Sequence, residues 1–176
     1  MNIIIRKANI EDAKEIVEVK MSSWLTSYKG LIPDEVLKNR QDTMKERIIK
    51  TEKQIKEYNN IYVAVDNDKV IGTMSYGKSR NEKYKDYGEL NFIYLLDEYK
   101  GLGIGKRLFF TGIKEIIDMG FNSFILNVLK GNKTIGFYEK YKGKKIDQKE
   151  EYFGEQKLTE YVMLFEDINK IYEENK

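Results

Sequence analysis

Between Leu95 and Phe110 the chain reads LLDEYKGLGIGKRLFF. Gly101, Gly103 and Gly105 alternate with Leu102 and Ile104, Lys100 and Lys106 bracket them, and a helical apolar pattern begins at once. Without Cβ atoms, successive backbone N–H groups can converge on one anion, and the positive end of the following helix adds to the attraction, as do the two lysines. The chemistry on offer is the holding of a phosphate or pyrophosphate, although a tightly packed strand-to-helix turn would use the same residues. Two common phosphate patterns do not fit. A Walker loop ending at Gly105-Lys106 would need glycine where Lys100 stands and Ser or Thr where Arg107 stands. A dinucleotide G-x-G-x-x-G ends on Lys106 when counted from Gly101 and on Leu108 when counted from Gly103.

Absent residue types narrow the chemistry further. The chain contains no cysteine and no histidine, which excludes disulfides, thiolate nucleophiles, Ser-His-Asp and Cys-His arrangements and nearly all zinc sites. Catalysis would have to draw on carboxylates, Tyr, Lys, Ser or Thr, backbone amides or a bound cofactor, and no metal is expected. Lys and Arg number 31 against 29 Asp and Glu, a formal charge of +2, which gives no reason to expect nucleic acid or an anionic membrane as partner. Apolar runs such as Phe92 to Leu96 fall far below the roughly 20 residues of a membrane helix. The opening MNIIIRKANIEDAKE lacks the apolar core and cleavage site of a signal peptide, so a cytoplasmic location is expected.

The elements that must position these residues can be read from periodicity. Residues 3–8 form a strand, and Asn9 is placed to cap a helix carrying Glu11 and Asp12 in its first turn, with Ile10, Ala13, Ile16 and Val17 at helical spacing. Trp24 to Leu37 is expected to be a loop that opens a short helix at Pro33 or Asp34. Thr43 to Tyr58 is an amphipathic helix. Ile61 to Val65 and Lys69 to Gly77 flank Asp and Asn turn residues as an antiparallel hairpin. Tyr87 to Leu96 is a further strand, followed by the glycine loop and a helix over residues 103–119 capped by Gly120. Ser123 to Leu129 is a strand, Asn132 to Tyr141 a short helix, Lys157 to Phe165 a last strand, and Glu166 to Lys176 a charged, loosely held helical tail. No repeat or linker marks a second domain. Residues 1–166 are expected to be a single domain, with 167–176 as the tail.

The stretch IYLLDEYKGLGIGKRL resembles the pyrophosphate loop of the GNAT acetyltransferases, [QR]-x-x-G-x-[GA] after a strand. Lys100 takes the Gln or Arg place, followed by Gly103 and Gly105, and Asp97 stands where proline is frequent. Downstream, LNVLKGNKTIGFYEKYKGKKI is similar to the family's N-x-x-A-x-x-F-Y-x-x-x-G-F segment, with Asn132, Phe137 and Tyr138 in register and Lys142-Gly143 in place of Gly-Phe. The resemblance implies an α+β (mixed α/β) GNAT-like fold: a mostly antiparallel twisted sheet of about seven strands, order β-α-α-β-β-β-α-β-α-β-β, closing on a late hairpin. It implies an N-acetyltransferase moving the acetyl group of acetyl-CoA directly onto a primary amine, that of a small molecule in the leading reading. A non-catalytic acetyl-CoA or CoA-binding module and a protein N-terminal or lysine acetyltransferase are the alternatives.

Site residues follow from the same resemblance. The cofactor-binding set is Ile93, Tyr94, Leu95, Lys100, Gly101, Leu102, Gly103, Ile104, Gly105, Lys106, Asn132 and Tyr138. A backbone N–H among Ile93 to Leu95, Leu95 first, would polarise the thioester carbonyl. Tyr138 corresponds to the general acid, since a phenol with a reference pKa of about 10 stays protonated at neutral pH; as a plain residue it would serve equally as a core aromatic. Asn132 would bond the pantetheine arm, or cap the helix it opens, or both. Glu89, an even six residues before Leu95, is the candidate base, with Asp86, Tyr87 and Glu151 as substitutes and a merely solvated carboxylate as the plain alternative. Trp24, Tyr28 and Leu31 on one side, Tyr152 and Phe153 on the other, with Glu89, Glu82, Asp86, Glu150 and Glu151 nearby, would wall the acceptor site or simply build the core and surface. A monomer or homodimer is expected.

Overall fold

The computed structural model describes residues 2–32 and 43–175. Seven strands form one sheet: β1 (Ile4–Lys7), β2 (Ile61–Asp66), β3 (Lys69–Lys78), β4 (Gly88–Leu95), β5 (Phe124–Leu129), β6 (Lys144–Phe153) and β7 (Gln156–Phe165), in the order β1-β2-β3-β4-β5-β7-β6. Among the described residues the helices are α1 (Ala13–Ser27), α2 (Met44–Tyr58), α3 (Ile104–Asp118), α4 (Ile135–Lys140) and α5 (Ile168–Asn175). This is the α+β fold expected from the sequence. The helix expected at Pro33 or Asp34 lies outside the described residues.

Local chemistry accounts for most boundaries. Asn9 Oδ1 accepts from the Asp12 N–H at 3.2 Å and Asp12 Oδ2 from the Asn9 N–H at 2.7 Å, so a capping box starts the first helical stretch. No breaker follows until Gly30 (φ +80°), and α1 therefore runs through Trp24 to Ser27, where the sequence reading had placed a loop. Strand β3 is buried on both faces from Val70 to Tyr76, as a central strand covered by helices must be. On one face Gly112 of α3 lies so close that a Cβ there would stand 2.6 Å from Leu90 Cδ1. On the other face Gln54 of α2 donates to Ser75 Oγ at 3.0 Å. At the far end of α3, Glu115 accepts from Lys7 Nζ (3.0 Å), Tyr62 OH (2.7 Å) and Tyr76 OH, which ties the helix to β1, β2 and β3.

Two features of β4 decide the site. It pairs in parallel with β5 at Gly88–Phe124 and Glu89–Ile125, and the ladder stops there. It also carries a bulge: Ser75 faces Phe92 while Tyr76 faces Leu90, so Asn91 is an extra residue. Leu90 and Leu95, an odd five residues apart, consequently both pack toward α3, beside Gly112 and Leu108. The parity that put Glu89 on the face of Leu95 is broken, because one inserted residue reverses every side chain beyond it.

The tail is held firmly rather than loosely. Ile168 and Ile171 are 0% and 1% exposed, and the Tyr172 ring lies tilted against Phe110, centroids 6.4 Å apart; the i, i+3, i+4 spacing buries one face of α5 despite its net charge. Strand β6, which the residue pattern did not mark, is the lysine- and glutamate-rich sheet edge, where one side of the strand faces water.

Candidate active site

Where β4 and β5 part, two connected clefts open. One, of about 880 Å³, is lined by Gly101, Gly103, Gly105, Lys100, Lys106 and Leu95 together with Leu31 and Gly131; the other, of about 250 Å³, by Trp24, Tyr28, Asn91, Asn127, Glu160 and Phe153, among others. Ser27, Ile93, Tyr94, Asn132, Thr134 and Tyr138 line both and mark the junction.

The large cleft is built for an anion. Gly101 and Gly103 adopt φ +78° and +79°, a backbone region that glycine enters without strain. Gly103 begins the 15-residue α3 with no side-chain cap and no acidic residue in the first turn, so its leading N–H groups and helix dipole are unneutralised. A Cβ on Gly101, Gly103 or Gly105 would meet nothing within 4 Å, so the open space lies over the backbone itself. Lys100 Nζ is bonded to Asp97 Oδ1 at 2.5 Å and reaches Ser27 Oγ at 3.4 Å, while Lys106 lies 5.5 Å from the Phe110 ring. Leu102 is exposed and Ile104 buried in the core, and neither lines the cleft; of these two only backbone is on offer. An extended diphosphate-bearing carrier fits this arrangement.

At the junction, the Leu96 N–H donates to Ile71 O at 2.9 Å, so by strand alternation the neighbouring Leu95 N–H turns away from β3 into the gap. The Leu95 carbonyl is fixed by Ser23 Oγ at 2.8 Å. Tyr138 sits on α4 with its ring against Phe109 (6.0 Å), Phe137 (5.5 Å) and Phe165 (6.3 Å). Burial pushes its phenol up to about 12, with a hydrogen bond to Thr134 pulling the other way; the group is protonated throughout the neutral range. Core packing and exposure to both clefts thus coexist in one residue. Asn132 Oδ1 accepts from the Thr134 N–H and Oγ1, both at 2.9 Å, which makes the capping turn before α4, and Asn132 also lines both clefts.

Glu89 is elsewhere. Its side chain is 3% exposed, accepts from Arg80 Nη2 (2.6 Å), Nε (3.3 Å) and N (2.8 Å), and lines neither cleft. The even-spacing argument failed at the Asn91 bulge, and Arg80 fills the place expected for the carboxylate. Trp24 and Tyr28 do line the small cleft, with rings 4.5 Å apart, Trp24 Nε1 donating to Tyr94 OH at 2.8 Å and Phe153 closing the wall 5.9 Å from Trp24. Tyr152, 69% exposed, takes no part, nor do Glu82, Asp86, Glu150 and Glu151. Leu31 borders the large cleft instead. The carboxylate that lines the small cleft is Glu160 of β7, 3.0 Å from Lys149 Nζ across the β6–β7 hairpin. Sequence reasoning missed Glu160 and Lys149, on the β6–β7 hairpin that pairs beside β5, and Arg80, in the loop after β3, because all three are far in sequence from the motifs that mark the site. The asparagine inside the apolar run FILNVL was a visible signal that passed unread.

A splayed parallel strand pair with a glycine-led helix at its mouth makes a cleft suited to an extended, anionic ligand. The model of the "Acetyltransferase (GNAT) family" matches residues 20–143. The chain is 33% identical over 150 residues to the uncharacterised N-acetyltransferase YuaI of Bacillus subtilis, covering 82% of each. It is 28% identical over 148 residues to the spermidine N(1)-acetyltransferase of Thermoplasma acidophilum, covering 81% of this chain and 87% of that protein. The solved PaiA N-acetyltransferase of Thermoplasma acidophilum, in complex with coenzyme A, superposes with a TM-score of 0.74 at 25% identity, covering 94% of this chain and 99% of that one. The chain belongs to the GNAT family and is an acetyl-CoA-using N-acetyltransferase of that family. Among the described residues no helix is long and apolar enough to cross a membrane.

Proposed function

We propose that this enzyme acetylates a primary amine of a small molecule, holding acetyl-CoA in the large cleft and the amine in the small one. The observation that carries the reading is Tyr138, a protonated phenol at the one place where a diphosphate-accepting cleft and an aromatic-walled cleft meet. Acetyl-CoA supplies, when bound, an acetyl group activated as a thioester. The amides at the start of α3, with Gly101 and Gly103, hold its diphosphate. Asn132 is placed to bond the pantetheine arm. The Leu95 N–H donates toward the carbonyl oxygen, where negative charge grows in the transition state. The amine lone pair forms the new C–N bond as the C–S bond breaks; sulfur keeps that electron pair and takes the Tyr138 proton. One N–H proton leaves to solvent through the small cleft, and solvent reprotonates Tyr138.

The small volume of the acceptor cleft, closed by Trp24 and Phe153, supports a small substrate over a folded protein, and the likeness to a protein named for spermidine supports an amine. The test is an acetylation panel of spermidine, an aminoglycoside, free amino acids, and peptides presenting an N-terminus or a lysine, with thermal shift by acetyl-CoA measured in parallel. Stabilisation of about 2.7 kcal/mol is expected at 100 times the Kd, with turnover greatest on a small amine. Stabilisation without turnover on any amine would identify a binding module, and preference for peptides would move the acceptor to protein.

A further inference from the structure

Among the described residues three buried side-chain oxygens have no hydrogen-bond partner: Asp66 Oδ1, Asn91 Oδ1 and Asn127 Oδ1. Two of the three belong to residues lining the small cleft. They stand on the two strands that part to form it, Asn91 at the β4 bulge and Asn127 midway along β5. Each interrupts an apolar run, Leu90–Asn91–Phe92 and Leu126–Asn127–Val128. An unpartnered buried acceptor destabilises a fold, so a leucine or valine at either position would serve stability better. Asn91 is also held in one orientation, because its Nδ2 donates to Ser75 Oγ at 3.2 Å, an oxygen that already receives Gln54 Nε2 at 3.0 Å. That leaves its oxygen turned away from Ser75 and without a donor.

A primary amine has two N–H groups and one lone pair. Two acceptors on facing strands can take both N–H groups and leave the lone pair as the only free direction of the nitrogen. We propose that Asn91 and Asn127 hold the acceptor in this way and restrict the enzyme to primary amines. The inference rests on the amine reading given above and adds to it the residues that set acceptor class. An N-methylated amine offers one N–H fewer, leaves one oxygen unpaired and sets a methyl group against it. A site built to satisfy a polar group rejects the analogue that lacks it far more strongly than a hydrophobic pocket rejects an extra methylene.

The test compares kcat/KM for the best amine of the panel with that for its N-methyl counterpart, in wild type and in Asn91→Ala, Asn127→Ala, Asn91→Asp and Asn127→Asp. Each alanine variant is expected to lose about tenfold on the primary amine and to lower the primary-to-N-methyl ratio by about fivefold or more. The aspartate variants keep an acceptor oxygen and should keep the ratio. Calorimetric Kd for acetyl-CoA should stay within about twofold; Tm should not fall in Asn127→Ala, whose oxygen had no partner, while Asn91→Ala also loses the Nδ2 bond to Ser75 and should show a modest drop. Should an alanine variant fail to fold, Asn91→Val or Asn127→Val, which also lacks an acceptor, reads the same ratio. A ratio unchanged in both alanine variants, or equal losses on both amines, overturns the proposal while leaving an active amine acetyltransferase. Absence of turnover on every amine in wild type overturns the amine reading, and this inference with it.

Discussion

Tyr138 shows how one side chain reconciles two roles that a sequence presents as alternatives. Its ring belongs to the aromatic cluster around Phe109, and it lines the junction of the two clefts, where the proposed mechanism needs a proton donor. Tyr138→Phe preserves the packing and removes the proton. kcat should fall about 10²-fold with little change in acetyl-CoA affinity, as expected when a general acid is lost; an unchanged kcat would remove Tyr138 from the mechanism. Burial raises its pKa to about 12, so the donating form is fully present at every pH well below that value. The wild-type rate should therefore show no downward limb between pH 8 and 10. A limb with its midpoint there, abolished in Tyr138→Phe, would contradict the buried, protonated phenol. Glu89 illustrates the opposite outcome: a carboxylate of apt type at an apt spacing is already neutralised by Arg80.

At the scale of elements, the glycine loop and the first turn of α3 form one unit, and the two readings of it predict different behaviour at Gly105. This residue lies inside the helix, and no atom stands within 4 Å of where its Cβ would be. Gly105→Ala should stabilise the fold by about 0.5–1 kcal/mol, as alanine does in a helix interior. If the cleft receives a diphosphate against bare backbone, the same methyl group must weaken acetyl-CoA binding, several-fold in Kd by calorimetry. A variant with higher Tm and unaltered Kd would mean that the glycines serve only the turn. The β4–β5 pair works as a second unit. The ladder ends after Glu89–Ile125, the Asn91 bulge follows, and an amide row is left free to face the gap.

Across the whole molecule, the C-terminal helix α5 is part of the core, although it takes no part in either cleft. Ile171→Ala removes a fully buried side chain between α5 and α3 and should destabilise by about 2–4 kcal/mol in denaturant unfolding. At 25 °C the folded fraction should keep its kcat/KM, because the site is held by β4, β5 and the opposite end of α3. A loss of less than about 0.5 kcal/mol would mean that the tail is detached in solution.

The sequence by itself determined most of the elements and their order, though not strand β6 or the end of α1, and singled out the glycine loop as the candidate carrier site. Each of these depends on features local in the chain: hydrophobic period, the Asn9 cap and Asn132 turn, and glycines that leave the loop backbone bare. Tyr138 and the loop from Lys100 to Lys106 were legible as candidates because each lies in a contiguous stretch of sequence. The acceptor side was decided by tertiary structure alone. A single inserted residue, Asn91, reversed the facing of Glu89, and pairing of β7 beside β5 set Glu160 and, through the hairpin, Lys149 at the cleft. Neither event leaves a periodic trace, since a bulge is set by how two strands pair and a cleft by where non-adjacent strands separate.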